Sequence, residues 1–119
     1  MPHETRFMDI YSHLKSEGFD VYCPAQKQGE CTSPYVVVKD SGTIKYPGFS
    51  STATTYDVMC YVPKDHFTEL EKYVLSVKES LSKLRPMLMP TYTETPSFYD
   101  DTVKAHMISM QYRNSRKVF

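Results

Sequence analysis

From Thr52 to Val62 the chain reads TATTYDVMCYV, a run of β-branched and aromatic residues with no glycine or proline, the composition that a half-buried pleated surface favours. The two-residue period puts Tyr56, Val58, Cys60 and Val62 on one side, and Thr55, Asp57, Met59 and Tyr61 on the other. Pro63 lacks a ladder donor and closes the strand. Phe67, Leu70, Val74, Val77, Leu81 and Leu84 then follow three or four apart, one face of an amphipathic helix and the strongest periodic signal in the chain. Asp65 is placed to cap this helix, Lys83 and Arg85 suit the carbonyls of its last turn, and Pro86 stops it. Its opposite face, Glu69, Lys72, Glu79 and Ser82, is polar. A helix with one apolar stripe must lie on a sheet, and the preceding strand supplies one.

Weaker patterns fill in the rest. Phe7, Ile10, Tyr11 and Leu14 repeat at helical spacing, and Gly18 stands where a left-handed residue ends a helix, so a first helix is predicted over Thr5 to Glu17. Phe19 to Cys23 alternates as a strand, and Pro24 to Pro34 has no period and reads as a loop. Tyr35 to Asp40 holds three consecutive valines, which predicts a strand inside the sheet with both faces covered. Ser41-Gly42 reads as a turn and Thr43 to Ser51 as irregular, giving a hairpin whose tip, Gly42 to Phe49, projects from the body. Two prolines make Met87 to Pro96 partly extended and peripheral. Ser97 to Asp101 reads as a short strand or turn, Thr102 to Tyr112 as the last strand, and Arg113 to Phe119 as a flexible basic tail.

Strands in runs, separated by helices and joined by short links, predict an α+β domain. Two helices would pack on one face of a mainly antiparallel sheet of about four or five strands. With 119 residues the chain makes one domain, since two halves would each be too small to bury an adequate core.

Composition narrows the chemistry. Lys plus Arg equals Asp plus Glu at 14 each, so the chain as a whole lacks the field that would neutralise phosphates, and no sequence-specific nucleic acid is expected. Ten tyrosines and seven methionines without a tryptophan suit protein contacts as well as a small core. The three cysteines, Cys23, Cys31 and Cys60, are odd in number and irregular in spacing, unlike a secreted disulfide framework. With no signal-like start and no run of eighteen apolar residues, a soluble protein made in a reducing compartment, without membrane contact, is expected.

His3, His13, His66 and His106 fall on different elements, and none stands at metal-ligand spacing from a cysteine or carboxylate. Asp100-Asp101 would point to opposite faces of an extended segment, the wrong geometry for a shared proton. Asp57 interrupts an apolar strand and is placed to pair with Lys104 or Arg113 across the sheet. There is no phosphate-binding glycine loop and no nucleophile elbow. No enzyme, cofactor or metal is therefore expected. Lys45, Arg113, Arg116 and Lys117, with Tyr46 and Tyr112 between them, make the best basic surface.

Taken in order, several segments carry a resemblance. They are a first helix ending in Gly18-Phe19, the strand to Cys23, the loop into SPYVVV at Ser33 to Val38, the strand Tyr56 to Val62, the amphipathic helix to Leu84, and the acidic turn before the alternating run that closes Phe98 to Tyr112. In that arrangement the chain resembles the tail-terminator or tail-completion proteins of long-tailed bacteriophages. The resemblance implies a structural virion protein, made in the bacterial host cytoplasm and located in the neck, with no catalytic residue. Such a protein caps the tail tube as a ring, usually of six copies, stops its polymerisation and offers a surface to the head-tail connector. Its partners would be itself, the tail tube protein and the connector or other neck proteins. Lys45, Tyr46 and Phe49 at the hairpin tip, with Tyr112, Arg113 and Arg116, are the expected contact residues. Other readings are another neck protein for head closure or completion, a small enzyme or ligand-binding domain using Tyr61, His106 and Asp57, and a nucleic-acid module using the basic tail.

Overall fold

Thirteen residues, Ser51–Pro63, form the strand β3 at the centre of a six-stranded sheet. The computed structural model describes residues 6–24, 29–45, 51–84 and 88–117. Along β3, Tyr56, Val58, Cys60 and Val62 are all buried in one apolar cluster, as the alternation predicts. Its neighbours are β2 (Tyr35–Lys45) and β6 (Ala105–Lys117), both antiparallel to it. The short β1 (Val21–Tyr22) lies parallel to β2, while β4 (Met89–Glu94) and β5 (Phe98–Asp100) share the far side of β6. The sheet order is β1-β2-β3-β6-β4, with β5 paired to β6, one strand more than the sequence suggests.

Two helices, α1 (Arg6–Ser16) and α2 (Leu70–Leu81), lie on one face of this mainly antiparallel sheet, so the fold is α+β. Ile10 and Leu14 of α1 meet Leu70, Val74, Val77 and Leu81 of α2 above Val36, Val38, Val58 and Met110. Each such side chain withdrawn from water contributes about 1.5–3 kcal/mol to folding before entropy is counted. Gly18 ends α1 in the left-handed region at φ +95. The Phe19 amide donates to Leu14 O at 3.1 Å and the Gly18 amide to Lys15 O at 3.1 Å, a Schellman closure. The valine triplet is covered on both sides. Val36 and Val38 face the helices, and Val37 joins Tyr35, Cys31 and Ala105 in a second cluster on the other face.

Three expectations change. The helix after Pro63 does not start at an Asp65 cap. Lys64–Glu69 forms a 3-10 turn with non-helical backbone at His66 (φ −120, ψ 30) and no side-chain cap, and α2 begins at Leu70. A 3-10 turn advances by a different angle per residue than an α-helix, so Phe67 leaves the stripe and is 51% exposed. Arg85 and Pro86 lie outside the described residues. Ser41-Gly42 does not reverse the chain. The register passes from Asp40↔Tyr56 to Gly42↔Thr55 with Ser41 as an extra residue, a bulge. There Gly42 has φ +117 and its amide donates to Asp40 Oδ1 at 2.8 Å. The ladder then runs on to Lys45↔Thr52. Finally, Arg113 to Lys117 is not a loose tail. These residues pair with Thr55 to Ser51, extending β6 five residues past its expected end. Phe119 lies outside the described residues.

Candidate assembly surface

Past the rung formed by Tyr56 and Tyr112, strands β2, β3 and β6 continue together as a three-stranded ribbon. Its central strand is rich in threonine, Thr52, Thr54 and Thr55, a β-branched type that suits extended backbone. The ribbon lengthens the molecule to 49 Å against 27 and 24 Å in the other directions. A strand of thirteen residues alone spans roughly 40 Å.

Both sides of this ribbon end in open edges. The strand β1 pairs only with Val36 and Val37, so from Val38 to Lys45 the outer edge of β2 has no neighbouring strand among the described residues. The outer edge of β6 carries β5 and β4 as far as Arg113, and from Asn114 to Lys117 it too has no neighbouring strand among the described residues. An open edge presents backbone donors and acceptors that another strand can take.

The expected contact residues are distributed unevenly over this surface. Lys45 and Arg116 are brought together as the two partners of Thr52, one on each side of the central strand. Arg113 is exposed and lies between Thr55 and Met89. Tyr112 is a correction. It is only 4% exposed and packs in the main core with Tyr56 and Met110, so it offers no surface to a partner. Tyr46 and Phe49 lie outside the described residues.

The chemistry imagined for a pocket does not come together. Tyr61 faces the second cluster and stacks on Tyr35 at 4.8 Å between ring centroids, with burial raising its phenol above the usual range. His106 is registered with Val62 on the helix side, where its Nε2 lies 3.2 Å from Lys64 O. Asp57 lies between Lys39 and Gln111 in the ladder, and Lys104 bonds Asp101 at 3.2 Å instead. A cavity of about 130 Å³ opens between α2 and β4, bordered by Tyr92, Thr93, Met110 and the Lys78–Glu94 ion pair at 2.6 Å. Among the described residues no three His, Cys, Asp or Glu side chains are grouped to hold a metal. No helix there is long and apolar enough to cross a membrane.

One polar cluster escaped the sequence reading because its members come from both helices. Ser80, buried in α2, has its hydroxyl 3.2 Å from Glu17 Oε1, to which it donates, and 3.2 Å from His13 Nε2. That imidazole nitrogen lies 2.8 Å from Ser80 O and donates to it, while Lys83 Nζ donates to Glu17 Oε1 at 2.7 Å. A serine beside a histidine suggests a nucleophile and its base. Here the imidazole proton goes to the carbonyl and the hydroxyl proton to the carboxylate, so His13 has no lone pair aimed at Ser80. The cluster is a clasp between helices.

The clasp has a pH signature. Lys83, hydrogen-bonded to Glu17, holds the carboxyl below its ordinary 4.5, and Glu17 in turn raises the Lys83 ammonium. A depressed carboxylate stabilises the fold above its unfolded pKa, and the effect fades as pH falls through the folded value. Lys83→Gln is therefore expected to melt lower than the wild type at neutral pH, the gap closing as acid takes the pH down through the lowered pKa of the Glu17 carboxyl. Thermal melts across that range check it, and a gap that persists unchanged into acid would contradict the assignment.

No protein-family model matches this chain, and a search of curated proteins found no match either.

Proposed function

We propose that this chain is a structural protein of a phage or phage-like particle, a tail terminator that caps the tail tube as a ring, stops its polymerisation and provides the head-joining surface. The observation that carries this reading is the ribbon with its two open edges. Strands β2 and β6 both run antiparallel to β3 and therefore parallel to each other. The edge of β2 in one copy and that of β6 in the next are different surfaces on opposite sides. A contact between unlike surfaces repeats from copy to copy and gives a ring when its rotation closes.

The sequence resemblance points the same way, and the charged residues Lys39, Asp40, Lys45, Arg116 and Lys117 along the edges select against indiscriminate strand pairing. Asn114, at the root of the ribbon, is buried with its Oδ1 lacking a hydrogen-bond partner among the described residues. No catalytic residue is assigned.

Particles assembled without this chain test the reading by electron microscopy. Tubes of unregulated length, or finished tails that fail to join heads, are the expected result. Tails of normal length joined to heads would overturn it.

A further inference from the structure

At the end of the sheet opposite the ribbon, three elements bring exposed aromatic rings together. Phe67 from the 3-10 turn meets His106 edge-on with ring centroids 4.7 Å apart, and Tyr99 of β5 meets the same imidazole at 5.2 Å. Phe67 is 51% exposed and Tyr99 42%. Large apolar side chains grouped on a surface mark a contact site.

Charge says what covers it. The segments around these rings, residues 29–34, 64–69 and 98–104, carry five carboxylates (Glu30, Asp65, Glu69, Asp100 and Asp101) against two lysines. The ribbon and its root, residues 39–45, 51–57 and 111–117, carry five cations (Lys39, Lys45, Arg113, Arg116 and Lys117) against two carboxylates. Because β2, β3 and β6 each run from one end to the other, these segments place opposite net charge at the two ends of the sheet. Aromatic faces flanked by carboxylates suit lysine and arginine side chains.

We propose that the aromatic, acidic end is a docking surface for the basic ribbon of a second copy of this chain, a contact between copies additional to the one along the strand edges. This rests on the reading of the chain as a self-assembling building block and names the two surfaces involved.

Sedimentation velocity of the full chain over a range of concentration and salt tests it. The wild type associates, and added salt weakens the association because the attraction is between opposite charges. Glu69→Lys with Asp101→Lys reverses the acidic end at side chains that are 60% and 84% exposed. Arg116→Glu with Lys117→Glu reverses the ribbon. Each pair alone associates about tenfold more weakly or worse, since like charges then face each other. An equimolar mixture of the two variants associates again, because the ribbon of each now matches the opposite end of the other. Phe67→Ser weakens association without being rescued by either. A wild type that stays monomeric throughout overturns the contact. Association that neither reversal weakens, or a mixture no better than its parts, also overturns it while leaving self-assembly through the strand edges standing.

Discussion

Leu70→Ala should lower the stability of the folded chain by about 2–5 kcal/mol, whereas Phe67→Ala, three residues earlier, should cost under about 1 kcal/mol. Both residues are large, apolar and in phase with the helical stripe. Leu70 is nevertheless enclosed by the core cluster, while Phe67 touches the edge of His106 and is otherwise half in water. Truncating Leu70 removes buried methyl groups and leaves a cavity that the close-packed sheet cannot fill. Truncating Phe67 gives up one edge-on ring contact. Urea melts of the two variants decide the matter, and equal losses would mean that the tight turn before α2 is misplaced.

A second substitution separates the ribbon from the body. Thr54→Pro should abolish assembly while the helices keep their packing. The central strand β3 is paired on both sides at this position, with Thr43 and Asn114, so whichever way its amide points, proline removes a ladder hydrogen bond and its ring disturbs the backbone. Proline is found in sheets essentially only on edge strands or at bulges, and leaving a partner carbonyl unsatisfied costs about 1–3 kcal/mol. The position lies two residues beyond Tyr56, which belongs to the main core, so the damage falls in the ribbon and away from that core. Hydrogen exchange is the measurement that resolves it. Protection lost from 51–55 and 113–117 but kept in Leu70–Leu81 is expected, together with loss of association. Protection lost throughout would show that the ribbon and the body unfold as one unit.

Much of the fold was legible because it depends on local periods. Alternation in β3 marks its buried face, the spacing from Leu70 to Leu81 marks the covered side of α2, and the valine triplet marks a strand enclosed on both faces. The same alternation, carried through Ile108 and Met110, puts Tyr112 on the buried side, so a contact role for it runs against a signal already present in the sequence. The end of β6 was hidden for a different reason. Arg113 to Lys117 reads RNSRK, with nothing apolar to alternate, and becomes a strand only because a threonine-rich partner supplies its hydrogen bonds. Phe67, Tyr99 and His106 meet from three separate elements, a convergence that no local pattern announces.

The clasp joining Ser80 to His13 and Glu17 has a mechanical corollary. Its bonds are directional, so sliding either helix by a turn would strand a buried hydroxyl. The helix pair therefore behaves as one stiff plate. A load applied along the strands would tilt that plate against the sheet and leave the packing inside it unchanged.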